Sequence, residues 1–252
     1  MEGDDFLNDD LQDTVNRYER MIKNNDYQYF DSDELESIID FYLEDNKLRK
    51  ALEVIDFGAA QFPSSAVFLV KRAQICAMTG RLEEGLEVVK KAEALEPYNV
   101  DVLMVKGDLL DQSEKFIEAI QTFEKALEFS DEKTEILLSI SFVYQNSGDF
   151  ESAIKYLHQI LEFEPENEQV LYEIAFCHDV NDSLEDSILF YNQFIDKQPY
   201  SYGAWFNLGS VYFKLERYDE ALSAFEFAIA INENLSTAWF NKGNVLVELG
   251  KF

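Results

Sequence analysis

The chain has 252 residues, of which 47% are hydrophobic, and it contains only 10 glycines and 4 prolines. This composition supplies enough apolar surface for a folded core and too few chain breakers for a loop-rich or disordered protein. Acidic residues number 50 against 21 basic ones, which gives a formal net charge of −29. That charge disfavours nucleic acids and anionic membranes as partners, because both are bound by Lys and Arg surfaces. It either favours a basic partner or only keeps the protein dispersed.

The sequence also indicates the compartment. It begins with the acidic segment Met1–Asp5, and no apolar run follows, so the basic and apolar parts of a secretion signal are missing. No stretch approaches the length of a membrane span. The two cysteines, Cys76 and Cys177, do not form the paired pattern of a disulfide framework. We therefore expect a cytoplasmic protein.

Residues 1–31 precede the first repeat described below. The acidic tip, residues 1–9, is expected to be loose. Within Asp10–Asn24, the apolar residues Leu11, Val15, Tyr18 and Ile22 recur at helical spacing. This pattern predicts a capping helix, because the end of a stack of repeats needs a cover with a polar outer side.

The four prolines reveal a repeat of 34 residues. Pro63 and Pro97 lie 34 positions apart, Pro97 and Pro165 lie twice that distance apart, and Pro165 and Pro199 again differ by 34. Every proline of the chain therefore occupies the same phase of one period. The period defines six full units without insertions: 32–65, 66–99, 100–133, 134–167, 168–201 and 202–235.

Four columns of residues keep the same period. One column is large and apolar at the fourth place of each unit, from Leu35 to Trp239, and another is bulky, from Ile55 to Phe225. Two columns are small: the first comprises Ala51, Gly85, Ala119, Ala153, Ser187 and Ala221, and the second Ala73, Gly107, Ser141, Ala175, Gly209 and Gly243, with Ile39 as the exception. Small residues let two helices approach closely, while large ones fill the space beside them. The columns thus predict an all-α solenoid of antiparallel helix hairpins.

After the sixth unit, residues 236–252 read as the first helix of a seventh, truncated unit. Phe252 falls in the column of Phe116, Phe150 and Tyr218, where a second helix would begin. We hypothesise that the sequence is a fragment of a longer chain. Val245 and Leu249 would then be exposed, and they would allow weak self-association through this end.

The unit at 202–235 closely resembles the tetratricopeptide repeat (TPR). Trp205, Leu208, Gly209 and Tyr212 match the pattern W-x2-L-G-x2-Y, and Ala221 and Phe225 match A-x3-F. Glu233 stands in the place of the family's proline. The resemblance covers about nine tenths of the chain, and it implies a right-handed superhelical solenoid. The acidic composition is similar to that of bacterial cytoplasmic TPR proteins.

In the TPR family, first helices line a concave groove that holds peptides, and this is what the resemblance implies for the present chain. The groove-facing places are the second, fifth, sixth, ninth, twelfth and thirteenth of each unit. In the N-terminal half they carry acidic residues, including Asp40, Asp101 and Asp108. In the C-terminal half they carry aromatic and amide residues: Phe142, Tyr172, Phe176, Phe206, Asn207, Phe213, Phe240, Asn241 and Asn244. Aromatic anchors favour protein binding, unless these rings only cover neighbouring helices.

The residues offer no catalytic constellation. There is no Gly-rich phosphate loop and no clustered His and Cys metal site, so we expect no enzyme activity, metal or cofactor. His178 and Cys76 fall in the buried column of Tyr144, and we expect a packed, hydrogen-bonded core histidine and a small core hydrophobe. His158 is expected at the surface.

Three interpretations of the function remain. The first is a scaffold or adaptor that binds a peptide or helix with apolar anchors and basic residues. The second is the regulatory arm of a larger enzyme or signalling protein, and the third is a self-assembly module. The fifth place carries no lysine in any unit, which argues against the carboxylate clamp of chaperone-binding TPR domains.

Overall fold

The computed structural model describes the backbone of residues 2–251 and the side chains of residues 11–251. In this part of the chain the regular structure is entirely helical. The helices are α1 Glu2–Asn24, α2 Ser32–Glu44, α3 Leu48–Gln61, α4 Val67–Met78, α5 Leu82–Leu95, α6 Val100–Gln112, α7 Phe116–Phe129, α8 Thr134–Ser147, α9 Phe150–Leu161, α10 Glu168–Val180, α11 Leu184–Lys197, α12 Tyr202–Lys214, α13 Tyr218–Ile231 and α14 Ser236–Glu248.

The chain divides into two compact units, Met1–Ser130 and Asp131–Phe252. Within each unit, an even-numbered helix packs on the odd-numbered helix that follows it, and that helix packs on the next even-numbered one. In the second unit, for example, α10 pairs with α11 and α12 pairs with α13. The predicted all-helical solenoid of helix hairpins is confirmed.

A left-handed turn follows each of the even-numbered helices α2 to α14. The turn residues have φ between 54° and 83° and recur every 34 positions: Asn46, Gly80, Glu114, Gly148, Asp182, Glu216 and Gly250. The amide after each of them donates to the carbonyl five positions earlier, as Arg217 does to Tyr212 at 2.9 Å. This pattern is the Schellman motif, which satisfies the last carbonyls of a helix.

Small residues allow close packing inside the hairpins. A Cβ atom at Gly209 of α12 would lie 2.9 Å from the ring of Phe225 in α13. In the first unit, a Cβ atom at Gly107 of α6 would overlap the ring of Phe123 in α7. Both rings are buried. The column of small residues and the column of bulky residues therefore meet across each of these two hairpins.

Helix α1 covers the first hairpin with Val15, Tyr18 and Met21, all of which are buried. It begins at Glu2, so its backbone includes the tip that the sequence predicted to be loose. The prediction that Ile22 belongs to the packed stripe is wrong. Ile22 is 53% exposed, because Met21 occupies the inward position of that turn.

The last helix, α14, packs on α13 through Val245 and Ala238. Val245 is fully buried, so the expectation that it would be exposed is wrong, and Leu249 is half-buried. Val245 lies on the side of α14 that faces α13, where it meets Ala221 and Phe225. The predicted column position of Phe252 lies outside the described residues.

Candidate protein-binding surface

Within the unit Asp131–Phe252, side chains bridge the first helices of successive hairpins. Asn207 Nδ2 of α12 donates to the hydroxyl of Tyr172 in α10 at 2.8 Å. Lys214 Nζ of α12 lies 2.7 Å from Asp179 Oδ1 of α10. Gln145 of α8 donates to Glu173 of α10 at 3.2 Å. The first helices thus lie side by side, which places their outward faces next to one another.

A concave pocket of about 170 Å³ lies between α12 and α14. Phe225 is one of its lining residues. Three of the residues predicted from the sequence line it as well: Phe213, Asn241 and Asn244. An Asn side chain can both donate and accept hydrogen bonds, as the backbone of a peptide requires. We call this feature the α12–α14 pocket.

Two further residues line the α12–α14 pocket, Ser210 and Lys214. Neither is among the residues predicted from the sequence. They stand at the ninth and thirteenth places of the unit 202–235, which are groove-facing places, so the repeat register alone could have indicated them. Neither side chain is aromatic or an amide, the two types on which the prediction for this half of the groove rests.

Three of the predicted aromatic residues are packed against their own or neighbouring hairpins. Phe206 lies 5.7 Å from the ring of Phe225, and Phe213 lies 5.7 Å from Tyr218. Tyr172 makes edge contacts with Tyr191 at 5.8 Å and with Phe194 at 5.3 Å. These rings are half-buried. The alternative that they cover neighbouring helices therefore accounts for much of their surface.

Two other predicted rings project further into solvent. Phe176 of α10 is 37% exposed, and Phe240 of α14 is 69% exposed. Asn244, one turn after Phe240, is also exposed. Phe240 and Asn244 are therefore better placed than the packed rings to contact a partner without being needed for the fold.

Phe142 lies in a different depression. It lines an open pocket of about 900 Å³ with Leu138 of the same helix and Phe163 at the end of α9. Glu164, at the same pocket, accepts hydrogen bonds from Thr134 and, at 2.6 Å, from Asn167. These bonds hold the pKa of Glu164 below its usual value. The pocket therefore combines apolar rings with a carboxylate that stays charged.

The acidic candidates lie in the unit Met1–Ser130. Asp40 is paired with Lys71 at 2.7 Å, and Glu36 reaches the same ammonium group at 3.2 Å. Burial alone would lower the pKa of Lys71, but these two carboxylates outweigh burial and raise it. Asp101 and Asp108 are exposed. The sequence missed the pairing of Asp40, which reduces the negative charge that this position can offer a partner.

Three of the four His and Cys side chains are packed. His178 stacks on Phe190 at 5.7 Å, and burial lowers its pKa. Its Nδ1 atom is buried without a hydrogen-bond partner among the described residues, so the expected hydrogen bond is wrong for this atom. Cys76 and Cys177 are both buried, and burial raises the pKa of Cys177 to about 12. A thiol with so high a pKa is a poor nucleophile. His158 is exposed, as predicted.

Among residues whose side chains are described, no group of three or more His, Cys, Asp or Glu is arranged to hold a metal ion. Within the part of the chain that the structure describes, no helix combines the length and apolar character that crossing a membrane requires.

Comparison with known families identifies the repeat. Three family models, each described as Tetratricopeptide repeat, match residues 40–100, 110–171 and 202–235. Together these segments cover more than half of the chain. No curated protein matches the sequence.

Solved structures share the fold. YrrB, a TPR protein with an unusual peptide-binding site, is 20% identical with a TM-score of 0.59, and the match covers 76% of this chain and 99% of YrrB. A tetratricopeptide repeat protein from Parabacteroides merdae is 13% identical with a TM-score of 0.63, over 94% of this chain and 98% of that one. PilF from Pseudomonas aeruginosa is 17% identical with a TM-score of 0.67, over 86% and 96%. At these identities, the likeness concerns the fold.

Proposed function

Because the chain belongs to the tetratricopeptide repeat family, we propose that it is a scaffold or adaptor that binds a peptide or helix of another protein. The binding surface is the row of first-helix faces in the unit Asp131–Phe252. The observation that carries the proposal is the α12–α14 pocket, which Asn241 and Asn244 of α14 line; the exposed Phe240 precedes them in the same helix.

The chemistry of this surface suits a polypeptide. Asn241 and Asn244 supply amides for the backbone of a bound segment, and Ser210 adds a hydroxyl. Phe213 and Phe225 supply apolar surface for a side chain of the partner, and rings of this kind anchor protein interfaces. A pocket of about 170 Å³ has room for one such anchoring side chain.

The charge of the protein suggests the rest of the partner. With a net charge of −29, it attracts basic segments over distances of about 10 Å at moderate salt. Asp131, Glu135 and the charged Glu164 line the pocket of Phe142. We therefore propose a basic partner with apolar anchors, bound in the cytoplasm.

The test must change the surface without changing the fold. We would combine Phe240→Ala with Asn244→Ala, because both side chains are exposed. Tyr200→Ala is the matched control, since Tyr200 is 83% exposed and does not line the α12–α14 pocket. Phe206→Ala is unsuitable, because Phe206 packs on Phe225 and its loss would disturb the hairpin.

The wild type and both variants would be used to capture partners from a lysate, and each captured partner would then be titrated as a purified protein. We expect the double variant to lose at least about tenfold in affinity, as for the loss of an anchoring residue. The Tyr200→Ala variant should bind like the wild type, and high salt should weaken binding. Equal affinity of the double variant and the wild type would refute the proposed surface.

A further inference from the structure

The second helices α11 and α13 border a pocket of about 350 Å³, which we call the α11–α13 pocket. Helix α12 supplies three of its lining residues, Trp205, Leu208 and Tyr212. The other lining residues belong to the two second helices: Asn192, Asp219, Glu220, Ser223 and Ala224. Ligand-binding pockets of proteins usually measure about 300–1,000 Å³. The α11–α13 pocket therefore has room for a large side chain of a partner.

The α11–α13 pocket and the α12–α14 pocket use different faces of α12. Leu208 and Tyr212 line the first, whereas Ser210 lines the second. Residues two positions apart in a helix point about 200° away from each other, so Ser210 lies on the other side of α12 from Leu208. The α11–α13 pocket is therefore separate from the row of first-helix faces that we propose as the peptide surface.

Two exposed apolar side chains flank the α11–α13 pocket. Leu189 lies one turn before Asn192 in α11, and its side chain is 53% exposed. Phe227 lies one turn after Ser223 in α13 and is 52% exposed. Its ring stacks on that of Trp205, with the ring centroids 4.5 Å apart. Apolar surface thus continues from the pocket onto both second helices.

The other repeats carry mostly polar residues where Leu189 and Phe227 stand. At the place of Leu189 the other five units have exposed polar side chains: Glu53, Glu87, Gln121, Lys155 and Ser223. At the place of Phe227 four of the other five units have lysine or glutamine: Lys91, Lys125, Gln159 and Gln193. Gln159 and Gln193 are exposed although a complete hairpin follows each of them, so this place faces solvent inside the array. Two exposed apolar residues beside one pocket indicate a contact surface.

The first hairpin shows what contacts an aromatic ring at the place of Phe227. Phe57 of α3 occupies this place in the unit 32–65. Its ring makes edge contacts with Tyr18 at 5.8 Å and with Phe30 at 6.4 Å, and it is half-buried. Tyr18 belongs to α1, which lies outside the hairpin of α2 and α3. An aromatic side chain from another segment therefore fits a ring at this place.

Charge complementarity indicates the rest of the partner. Among the described residues that line the α11–α13 pocket, Asp219 and Glu220 are acidic and none is basic. Glu220 is paired with Arg217 at 2.9 Å, and Asp219 with Lys251 at 3.3 Å. These pairs are accessible to solvent and contribute little stability, so a basic side chain of a partner can replace them. The guanidinium of Arg217 also lies 4.6 Å from the ring centre of Tyr212, which shows that a ring and a carboxylate of this pocket hold a cation together.

We propose that the α11–α13 pocket, with Leu189 and Phe227 beside it, is a second protein-binding surface, and that it takes a segment in which an aromatic and an apolar residue stand between basic ones. The aromatic side chain enters the pocket beside Trp205, and the apolar residue packs on the flanking side chains. The basic residues lie near Asp219 and Glu220. This surface does not depend on the peptide surface proposed above, so the two can fail independently.

The probe is a terminally blocked, fluorescently labelled peptide with the sequence Lys-Arg-Tyr-Leu-Arg-Lys. Its anisotropy would be measured during titration with the full 252-residue protein. The matched peptide, Lys-Arg-Ser-Ser-Arg-Lys, has the same charge and lacks the two apolar side chains. We expect the first peptide to bind and the second to bind at least about tenfold more weakly, because charge alone does not fill the pocket.

The protein variant combines Leu189→Gln with Phe227→Gln, because glutamine stands at the same places in other units, as Gln121 and Gln193. It should bind the first peptide at least about tenfold more weakly than the wild type. The matched control combines Ile117→Gln with Tyr200→Gln, which removes two exposed apolar side chains elsewhere. This control should bind like the wild type. Circular dichroism would verify that both variants keep their helical content.

A second readout locates the bound peptide. In Trp239→Phe, Trp205 is the remaining tryptophan, and its fluorescence can be excited apart from that of tyrosine. We expect the first peptide to protect Trp205 from quenching by acrylamide. The Phe240→Ala, Asn244→Ala double variant, which alters the other proposed surface, should bind the peptide with unchanged affinity.

Four results would overturn the proposal. Three of them are absence of binding at millimolar protein, equal binding to the wild type and the Leu189→Gln, Phe227→Gln variant, and equal binding of the two peptides. The fourth is a loss of binding in the Phe240→Ala, Asn244→Ala variant alone, which would place the peptide on the first-helix surface. Light scattering would test another occupant. A wild-type dimer that Leu189→Gln with Phe227→Gln abolishes would assign this surface to a second copy, and the basic partner would be rejected.

Discussion

Helices α12 and α14 carry the same residue types at two places of the repeat, Trp at the fourth and Gly at the eighth, but the surroundings of these residues differ. In both first helices an indole N–H donates to a backbone carbonyl, from Trp205 to Pro199 and from Trp239 to Glu233, each at 2.9 Å. In α12 a ring lies over Gly209, whereas no residue that the structure describes lies within 4 Å of a Cβ atom placed on Gly243. The local geometry of the first helix is therefore independent of whether its outer face is covered.

A residue type that recurs at one place of the repeat allows a particular contact there, but the neighbouring helix decides whether that contact is made. Glycine at the eighth place lets an aromatic ring approach the backbone of the first helix. Where the ring is present, it is buried and the glycine is essential to packing. At Gly243 no described residue supplies such a ring, and the glycine borders open space.

The largest expected effect is the loss of the ring that packs against Gly209. Phe225→Ala removes a fully buried side chain, so we expect it to lower the free energy of unfolding by about 3–5 kcal/mol. Urea unfolding followed by circular dichroism would measure this. Phe240→Ala is the control: its ring is 69% exposed, and it should cost less than about 0.5 kcal/mol. Similar losses in the two variants would contradict the assignment of Phe225 to the core.

The next largest expected effect is a difference in stability between leucine substitutions at Gly209 and at Gly243. Gly209→Leu forces a side chain against Phe225 and should lower the free energy of unfolding by about 3 kcal/mol. At Gly243 a Cβ atom would meet no described heavy atom within 4 Å, so Gly243→Leu should be neutral or stabilising by up to about 1 kcal/mol, because leucine favours the helix. Thermal unfolding of the pair would show the contrast. If both variants melted together below the wild type, the space beside Gly243 would not be open.

Enlarging a residue of the small column in the second helix should lower the free energy of unfolding more moderately. Ala221→Leu overpacks a fully buried site in α13, and we expect a loss of about 2 kcal/mol in unfolding free energy. Ala230→Leu, on the exposed side of the same helix, should leave stability within about 0.5 kcal/mol of the wild type. An unchanged melting curve for Ala221→Leu would refute the alignment of the repeats.

The smallest expected loss of stability concerns the ring that covers one of the two tryptophan side chains. Phe227→Ala removes the ring stacked on Trp205 and should cost about 1 kcal/mol. Because the chain has two tryptophans, their fluorescence can report the change. Acrylamide should quench one indole class strongly and the other weakly in the wild type, and Phe227→Ala should increase the quenching of the weak class. Two equally quenched indoles in the wild type would contradict the difference between Trp205 and Trp239.

Much of the fold could be predicted from the sequence, because the constraints are local and periodic. Proline ends a helix wherever it falls beyond the last turn, and alternating small and large columns at helical spacing define a hairpin. The turn column was missed, since only three of its seven members are glycine. The other four adopt the left-handed conformation as well: Asn46, Glu114, Asp182 and Glu216.

For the candidate surface, the sequence predicted which places of the repeat face it, but not how exposed each side chain at those places is. Phe206 and Phe240 occupy the same place of successive units, yet Phe206 packs on Phe225 and Phe240 is 69% exposed. Asp40 appeared as a free acid, but Lys71 of the next repeat neutralises it. These differences arise between helices that are distant in sequence, so no local pattern records them.

The sequence by itself determined the helices, their pairing into hairpins and most of the residues that pack between them. These follow from side-chain size and periodicity within one chain segment. Only the tertiary structure decided which faces are covered, because the exposure of a side chain depends on the atoms that adjoining helices place around it. For this protein, that decision separates the packed ring of Phe206 from the exposed ring of Phe240.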